Sequence, residues 1–522
     1  MKYLIKPSAA VKALAAAMDW KSLLDHASCP HFDSNQTPEK EYGAVFFHAG
    51  THDSLKQSIG AYVRSCKIKP LVTTDMEAGP GGMITDGTKF PSMMACGRCG
   101  DEDLAYTMGA AAALEGRDVG FNWSLAPCVD LSAEIDNPIL GIRSAGSDPD
   151  LLIRISRAYI RGMQDHSMAA TLKHFPGDGF SVYDQHLTTS VNPLTQEQWR
   201  AKSGRVFKEL IDAGAMAVMP GHIALPSFDV PDERLALCPP ATLSKRLMVD
   251  LLRHELGFDG LIVSDAVNMG GIASYMNYYD ACATFWENGG DCLLFEDTDD
   301  VFYREMEKRF DNGKLSIETM RDRVERILAF KEQMNLFGDA ARLAEKPDSK
   351  AYDQCAQLIS ERSLEVVRDR AGILPFKLTK DSKILHVVIA NEYEENKAIF
   401  ESFTKKICEI CPQTIERVDP GCGSLFSEVQ TGHYDLIICS MGTHVSYGTS
   451  TARLYGPTAR NMMKGWMRLG TPTVFVCHSH PFTHHEFEAA MDTVINTYGS
   501  ISHSLDAVTR VLFDTSPLRG KE

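Results

Sequence analysis

The segment that ends in His186 carries the residue types needed for proton transfer. An apolar run ends at Lys173 and His174, and a loop rich in proline and glycine then leads to Asp184 and His186. Because only Gln185 separates the last two, an extended loop can place both side chains on the same side. The carboxylate of such a pair holds the tautomer of the ring and raises its basicity, so the imidazole can donate and later accept a proton near neutral pH. The alternative is a surface hydrogen bond without catalytic function.

A second acidic residue, Asp265, follows the apolar run Leu261–Val263 and Ser264, and a loop of small residues comes after it. A carboxylate at the end of a strand can attack an electrophilic carbon, ligate a metal ion or cap the next helix. The spacing alone leaves these three functions open.

Three further side chains follow predicted strands or lie in the loops between them. Asp75 stands between the run Leu71–Thr74 and a glycine-rich loop. That loop lacks the Lys-Ser/Thr ending of a P-loop, so Asp75 is predicted to accept a hydrogen bond from a hydroxyl group and not to belong to a phosphate site. Arg143 lies in a loop that can present one guanidinium, and His222 follows another apolar run, where a purely structural role is the alternative.

The elements that must position these residues repeat one theme, in which an apolar run, a polar loop and a helical stretch follow one another. Uninterrupted apolar strands alternating with helices are typical of a parallel sheet that is covered on both faces. Since polar residues cluster after each run, the pattern predicts a (β/α)8-like TIM barrel whose active site collects the C-terminal ends of the strands. An open doubly wound sheet is the alternative. The predicted strands are Gly43–His48, Leu71–Thr74, Val119–Leu125, Ala169–Leu172, Ala215–Met219, Leu261–Ser264 and Cys292–Phe295.

A smaller α/β sandwich domain is predicted after the barrel. A charged helix over Ile317–Met334 is followed by a polar stretch that contains Pro347, which is typical of a linker. The predicted boundaries are residues 1–338 for the barrel, 339–358 for the linker and 359–522 for the second domain. Its strands are predicted at Ile384–Ile389, Leu436–Ser440, Thr473–Cys477 and Val494–Thr497, and its candidates for approaching the barrel mouth are Thr443, Ser446 and Tyr447.

The combination of motifs resembles glycoside hydrolase family 3, in its two-domain form. Within that family it is similar to the β-N-acetylglucosaminidase branch, which carries an Asp–His dyad. The motifs span about residues 40–300, and the stretch 360–375 resembles the helix that leads into a strand in the family's second domain. They are Asp75-x-Glu77, Leu125-Ala-Pro-Cys-Val-Asp-Leu131, Asn137-Pro-x-x-Gly-x-Arg143-Ser, Lys173-His-Phe-Pro-Gly177, Asp184-x-His186, Met219-x-x-His222, and Ser264-Asp265 after Gly257-Phe-Asp-Gly260.

By that resemblance, Asp265 is the catalytic nucleophile and His186, oriented by Asp184, is the acid/base. A retaining glycosidase needs a carboxylate that forms a covalent glycosyl-enzyme and a group that protonates the departing oxygen. Deprotonated imidazole is neutral, so no second anion repels an anionic acceptor, and phosphorolysis stays open. The resemblance assigns the binding of the sugar hydroxyls to Asp75, Arg143, Lys173, His174 and His222.

Two loops depart from the family pattern. The family usually has Asp-x-Glu-Gly-Gly-Arg after its second strand, whereas the segment Glu77–Met83 contains no arginine. Before the dyad, Gly177-Asp178-Gly179 replaces the usual Gly-His-Gly. A missing hydrogen-bond donor changes which sugar is held best. The mechanism is therefore expected to transfer more directly than the identity of the sugar.

Composition excludes several other classes of function. The 522 residues include 53 basic and 69 acidic side chains, a formal charge of −16, which disfavours nucleic acid or an anionic membrane surface as the partner. No apolar run approaches the roughly 20 residues of a membrane span. The segment Ala9–Trp20 is interpreted as a packing helix and not as an export signal. A cytoplasmic enzyme with reduced thiols is expected, and the sequence leaves open whether it forms a homodimer.

Two cysteine pairs and a histidine cluster are candidates for metal binding. Buried thiols are the favoured interpretation of both pairs over a zinc site. The histidines after a late strand are interpreted as a surface cluster with weak metal-binding potential. These residues are Cys96 and Cys99, Cys408 and Cys411, and His478, His480, His484 and His485.

The sequence therefore predicts a retaining, exo-acting β-glycosidase that acts on a carbohydrate substrate and needs neither a metal ion nor an organic cofactor. A β-N-acetylhexosaminidase that releases a terminal sugar through a covalent glycosyl-enzyme is the favoured activity. The alternatives are a β-glucosidase-like hydrolase, a glycoside phosphorylase of the same family, or a catalytically silent sugar-binding relative.

Overall fold

The computed structural model describes residues 2–233, 235–338, 345–442, 448 and 450–513. The chain divides into two compact units. The first contains Met1–Phe90 and Gly100–Asp353, and the second contains Pro91–Cys99 and Gln354–Glu522. Of the predicted linker at 339–358, residues 339–344 lie outside the described residues, as do Thr443, Ser446 and Tyr447. A helix, Ser349–Ser363, occupies much of the remaining linker range and runs across the division between the units.

The main sheet of the first unit has nine strands, and every pairing between them is parallel. Two short strands, one before and one after Pro30, together occupy one strand position of the barrel. The first pairs with the last strand of the barrel, and the second pairs with the next strand along the chain. The sheet thereby closes on itself, which confirms the predicted (β/α)8-like barrel. In chain order, the strands of this unit are β1 (Ser28–Cys29), β2 (His31–Phe32), β3 (Ala44–Phe47), β4 (Leu71–Thr74), β5 (Trp123–Ser124), β6 (Ala169–Phe175), β7 (Ser190–Val191), β8 (Ala217–Pro220), β9 (Ile223–Ala224), β10 (Leu261–Ala266) and β11 (Cys292–Leu294).

Helices connect these strands, and polar side chains define where they begin. Thr51 and Asp148 accept hydrogen bonds from backbone N–H groups in the first turn of their helices. Gly120, with φ +115°, ends one helix in the left-handed conformation. The α-helices are Ala9–Ala16, Trp20–His26, His52–Ser65, Glu102–Val119, Pro149–Asp165, Gln196–Ala201, Ser203–Asp212, Gly270–Ala273, Tyr278–Glu287, Asp300–Asp311 and Ile317–Gln333; Gly141–Arg143 and Ala241–Leu243 are 3-10 helices, and Arg246–Glu255 is a π-helix.

The structure differs from the predicted barrel strands in two places. The predicted strand Val119–Leu125 is reduced to β5, because Val119 still belongs to the preceding helix. The barrel strand formed by β1 and β2 was missed, since its two halves are two residues each and contain Ser28 and His31 in place of an apolar run. The other six predicted barrel strands are present.

The second unit contains a six-stranded sheet whose strands are parallel except at one edge. Alternate residues of its central strands enter two apolar clusters, one containing Leu385 and Ile437 and the other containing Ile384 and Leu436. This pattern is that of a sheet covered on both faces, as predicted for an α/β sandwich. Its strands are β12 (Glu365–Asp369), β13 (Ile384–Ala390), β14 (Thr414–Val418), β15 (Leu436–Gly442), β16 (Thr473–Cys477) and β17 (Thr493–Asn496), and its α-helices include Met93–Cys99, Tyr393–Ile410, Cys422–Thr431, Gly456–Ala459 and Ser502–Phe513.

Among the described residues, no helix is long and apolar enough to cross a bilayer.

Candidate active site

Asp265 lies near the C-terminal end of β10 and is 8% exposed. Its Oδ1 accepts a hydrogen bond from the backbone N–H of Ala266 at 2.8 Å, whereas its buried Oδ2 has no hydrogen-bond partner among the described residues. Burial raises the pKa of this carboxyl, but the charges of His174, His222 and His186 outweigh burial and lower it below its ordinary value. Asp265 is therefore ionised at neutral pH and keeps one oxygen available for chemistry.

His186 and Asp184 form the predicted dyad. The Nδ1 of His186 lies 2.7 Å from Oδ1 of Asp184, and the same oxygen accepts the backbone N–H of His186 at 2.8 Å. The Asp184 side chain is 1% exposed and that of His186 is 20% exposed. A carboxylate that accepts from Nδ1–H fixes the tautomer and the orientation of the ring.

The loop that carries the dyad is hydrogen bonded to the loop that follows Asp265. The backbone N–H of Gly270 donates to the carbonyl of His186 at 2.7 Å, and that of Gly271 donates to the carbonyl of Gln185 at 3.1 Å. A Cβ on Gly270 would lie 2.4 Å from the carbonyl oxygen of Leu187. Only glycine permits this close approach, so the small-residue stretch after Asp265 is what brings the two loops together.

Gln185, the residue between the two members of the dyad, holds the loop through two side-chain hydrogen bonds to buried partners. Its Oε1 accepts the backbone N–H of His222 at 2.8 Å, and its Nε2 donates to Oδ2 of Asp178 at 3.2 Å. Burial, together with the negative charge of Asp130, raises the pKa of Asp178 to about 7. Successive side chains of this loop point to opposite sides. Asp184 and His186 lie on one side, and the side chain of Gln185 is buried on the other.

His222 is fully buried, and both of its ring nitrogens are bonded to protein atoms. Nδ1 lies 2.9 Å from Oγ1 of Thr242, and Nε2 lies 2.9 Å from the carbonyl oxygen of Ala266. The carbonyl of Ala266 can only accept, so Nε2–H of His222 donates to it, and burial lowers the pKa of His222. In this arrangement His222 holds the residue next to Asp265 and has no ring nitrogen left for a sugar hydroxyl.

Three predicted binding residues lie around Glu77 and, together with His174, form a second group. Arg143 donates two hydrogen bonds to Glu77, from Nε at 2.8 Å and from Nη2 at 2.7 Å. The Nζ of Lys173 lies 2.7 Å from Oδ1 of Asp75 and 2.7 Å from Oε1 of Glu77. Burial raises the pKa of Glu77, but Arg143 and Lys173 outweigh it and hold the pKa well below its usual range. Glu77 is thus held as a carboxylate between the two cations.

His174 connects this group to Asp265. Its Nδ1 lies 2.7 Å from Oδ2 of Asp130, which also accepts the backbone N–H of His174 at 3.1 Å, and its Nε2 lies 3.5 Å from Nη2 of Arg143. The charge of His174 is also the largest of the influences that lower the pKa of Asp265. His174 therefore contacts Arg143 of the Glu77 group and acts electrostatically on Asp265, and Asp130 orients its ring.

A model described as the glycosyl hydrolase family 3 N-terminal domain matches residues 45–330, more than half of the chain. The chain belongs to glycosyl hydrolase family 3. Curated relatives of this family 3 chain include a β-N-acetylglucosaminidase/β-glucosidase of Cellulomonas fimi, 27% identical over 95% of this chain and 91% of that protein, and a β-hexosaminidase of Stenotrophomonas maltophilia, 34% identical over 40% of this chain and 62% of that protein.

Solved structures of similar proteins cover nearly the whole of this family 3 chain. A β-glucoside phosphorylase, BglX, bound to 2FGlc has a TM-score of 0.87 with 27% identity, over 97% of this chain and 94% of that chain. A family 3 β-N-acetylglucosaminidase from Paenibacillus sp. has a TM-score of 0.81 with 22% identity, over 95% and 98% of the two chains, and supports the fold alone.

The glycine-rich loop after β4 has no arginine in this family 3 member, and the structure shows what the loop does instead. Gly79, with φ +73°, lies where a Cβ would be 2.5 Å from the ring of Phe90. Its backbone N–H donates to the hydroxyl of Tyr159 at 3.2 Å. Gly79 is therefore explained by its backbone conformation and by close packing against Phe90.

A potential metal-ligand group in the same family 3 site is satisfied by its own hydrogen bonds. The side chains of Cys128, Asp130 and His174 have their ligand atoms within 4.8 Å of one another. Cys128 Sγ donates to Oδ2 of Asp130 at 3.3 Å, and the ring of His174 bonds the same oxygen. Burial raises the pKa of the Cys128 thiol well above its ordinary value, so the thiol stays protonated.

The structure brings the predicted residues into two connected groups and adds partners that sequence reasoning did not assign. Asp265, the dyad and His222 form one group, while Asp75, Arg143, Lys173 and His174 form the other. The added partners lie within or beside the motifs described above. Their contacts join residues that are distant in sequence, so the motifs alone do not reveal them. They are Glu77, Asp130, Asp178, Gln185 and Thr242.

Proposed function

We propose that this family 3 chain is a retaining, exo-acting β-glycosidase and that its favoured substrate is a terminal β-linked N-acetylhexosamine. The observation that carries the proposal is the junction of the two loops, where the backbone of Gly270 bonds the carbonyl of His186 while Asp265 keeps a buried oxygen without a hydrogen-bond partner among the described residues. One anion and one imidazole thus share a small site, which is the minimum that retaining hydrolysis needs.

In the first step, Oδ2 of Asp265 attacks the anomeric carbon and forms a covalent ester with the sugar. The bond from that carbon to the leaving oxygen breaks, and Nε2–H of His186 transfers its proton to this oxygen. Asp184 stabilises the imidazolium that precedes the transfer, because its carboxylate is buried and 2.7 Å from Nδ1. The depressed pKa of Asp265 supports its role, since the nucleophile must be ionised.

In the second step, the now neutral His186 removes a proton from water through Nε2. The resulting oxygen attacks the anomeric carbon from the face that the leaving group left, and the ester bond to Asp265 breaks. Two inversions give net retention, and both side chains return to their starting protonation states.

The second group is proposed to bind the sugar. Asp75 has a side chain that is 38% exposed, the most accessible member of the Glu77 group, and would accept hydrogen bonds from hydroxyl groups. Lys173, Arg143 and His174 would donate to sugar oxygens. For His222 we propose a different role from the one predicted: it positions Asp265 by holding the carbonyl of Ala266.

Two observations support a second candidate, phosphorolysis or hydrolysis of a β-glucoside. The solved β-glucoside phosphorylase BglX covers 97% of this chain at 27% identity, and the name of the Cellulomonas fimi relative includes β-glucosidase. In addition, the acid/base candidate is neutral when deprotonated, so a phosphate that replaces water meets no second carboxylate there. A silent sugar-binding relative is the third candidate, and its support is the loop Glu77–Met83 without arginine. Cytoplasmic location and homodimerisation stay predictions from the sequence.

Turnover of aryl β-N-acetylglucosaminide and aryl β-glucoside, each with and without inorganic phosphate, separates these activities. The proposal predicts the larger kcat/KM for the N-acetylglucosaminide, free sugar as the product, and no acceleration by phosphate. A sugar 1-phosphate as the main product would establish the second candidate. If neither substrate is cleaved while the sugar still binds, the silent relative is correct and the proposed activity is wrong.

A further inference from the structure

A three-residue cluster in the second unit has the composition of a metal site and is not used by the proposed reaction. His484, His485 and Glu488 lie in or next to the 3-10 helix His485–Ala490, and their ligand atoms are all within 4.8 Å of one another. Nδ1 of His484 is 3.3 Å from Oε1 of Glu488, and Nε2 of His485 is 4.0 Å from the same oxygen. Ligand atoms around a tetrahedral zinc ion lie about 3.3 Å apart, given metal–ligand bonds of roughly 2.0–2.1 Å.

His484 is the member of the cluster that needs an explanation. Its side chain is 1% exposed, and neither ring nitrogen makes a hydrogen bond with the described residues. Buried polar atoms are rarely left without a partner in native proteins. The Nδ1 of His484 lies 3.3 Å from Oε1 of Glu488 without forming a hydrogen bond with it. A cation at this position would satisfy that nitrogen.

Glu488 is held so that one oxygen faces the two histidines. Nη2 of Arg368 lies 3.0 Å from Oε2 of Glu488, and Nη1 donates to the backbone carbonyl of Glu488 at 3.0 Å. The second oxygen, Oε1, is the one directed at His484 and His485. Such a partner fixes the orientation of a ligating carboxylate, as outer-shell groups do in metal sites.

We propose that His484, His485 and Glu488 bind one divalent transition-metal ion of the zinc class. Two imidazole nitrogens and one carboxylate oxygen suit Zn²⁺, whereas Mg²⁺ and Ca²⁺ prefer oxygen ligands alone. The side chains of His485 and Glu488 are 38% and 39% exposed, so an ion has a route from solvent and room for a water ligand. Bound metal stabilises the second domain, because it binds the folded state and not the unfolded chain.

The test measures Zn²⁺ binding to the full chain after treatment with a chelator, by competition with a chromophoric zinc indicator. His485→Asn and Glu488→Gln are the site variants, since both positions are partly exposed and should fold. His433→Asn is the matched control, because His433 is an exposed histidine of the same domain outside the cluster. Visible spectra with Co²⁺ report the ligand set independently of glycoside turnover, so this proposal can fail without the proposed function failing.

The wild-type chain and the control are expected to bind one equivalent of Zn²⁺ and to unfold at a higher temperature when it is present. Each site variant should lose more affinity than the about 10–100-fold that outer-shell substitutions cost. If the wild type binds no Zn²⁺, or if both site variants bind it as the wild type does, for example through Cys128, Asp130 and His174, the proposed site is wrong.

Discussion

The backbone N–H of Gly270 donates a hydrogen bond to the carbonyl oxygen of His186 across 2.7 Å. This bond and the one from Gly271 to Gln185 join the loop after β10 to the loop after β6, so backbone contacts position the proposed nucleophile relative to the proposed acid/base. The contact exists because a side chain at position 270 would collide with Leu187 and His186.

Gly270→Ala is therefore expected to lower activity without unfolding the barrel. Its Cβ would lie 2.4 Å from the carbonyl oxygen of Leu187, so the dyad loop must move away from Asp265. A displacement of about 1 Å in a catalytic group can cost roughly 100-fold in rate. Steady-state kinetics should show a fall of that order in kcat/KM. Gly423→Ala is the control, because a Cβ there meets no atom within 4 Å. Equal activity of the two variants would contradict the role given to the contact.

Glu77→Gln should weaken both the barrel and the binding of sugar. The change leaves Arg143 and Lys173, both largely buried, without the carboxylate that they share. Breaking a buried ion pair on one side costs about 3–5 kcal/mol, whereas an exposed pair contributes about 0–1 kcal/mol. Urea titration should therefore show a large loss in the free energy of unfolding, together with a raised KM.

The matched control for this prediction is Glu102→Gln, which removes one partner of a surface ion pair. Arg154 and Glu102 are 47% and 50% exposed. If the two variants lose the same free energy of unfolding, the ion pairs of Glu77 do not stabilise the barrel more than a surface ion pair does.

His186→Gln should affect substrates according to their leaving groups. Loss of a general acid typically costs about 100- to 10,000-fold in rate, but only where the departing oxygen needs a proton. An alkyl β-glycoside should lose most of its turnover, while a dinitrophenyl glycoside should still form the glycosyl-enzyme. Azide should then accelerate release, because it needs no general base. His254→Gln changes an exposed barrel histidine and should have no effect. A loss that is the same for every leaving group would argue against the acid role.

Glu296 is expected to make the barrel less stable as pH rises. Burial raises its pKa to about 8 from an ordinary value of 4.5. The folded state therefore keeps a proton that the unfolded chain releases, and stability falls between about pH 4.5 and pH 8 by at most about 1.4 kcal/mol per unit of pKa difference. Below that window neither state releases the proton, and above it the full loss is present.

Thermal unfolding of wild type and Glu296→Gln across this range tests the sign. The difference in melting temperature should shift in favour of the variant as pH rises from 4.5 to 8. Glu307→Gln, at an exposed position, should follow the wild type. A constant difference between wild type and the Glu296 variant would show that the buried carboxyl does not titrate in the window.

The barrel could be predicted because its strands are buried on both faces, so they occur in the sequence as uninterrupted apolar runs. The strand formed by β1 and β2 was not predicted, because Pro30 divides it and because Ser28 and His31 stand where apolar residues would be expected. Sheet closure, which depends on this strand, is visible only in three dimensions.

The site could be predicted to the level of residue types at strand ends but not to the level of contacts. Asp184 and His186 were paired correctly because only one residue separates them in sequence. The contact of His174 with Asp130, and that of His222 with Thr242, join residues 44 and 20 positions apart. No local pattern encodes such pairs. The sequence therefore could not show that both ring nitrogens of His222, which the resemblance assigned to sugar binding, are bonded within the protein.

Trapping with a 5-fluoro-glycosyl fluoride of the preferred sugar, which keeps the substituent at C2, tests the central claim most directly. Slow turnover of the ester should leave one sugar on the protein, and tryptic digestion followed by mass spectrometry locates it. The account predicts attachment to Asp265, within the peptide that runs from His254 to Arg304. Attachment to any other residue, or prompt inactivation of an Asp265→Ala variant by the same reagent, would contradict the account.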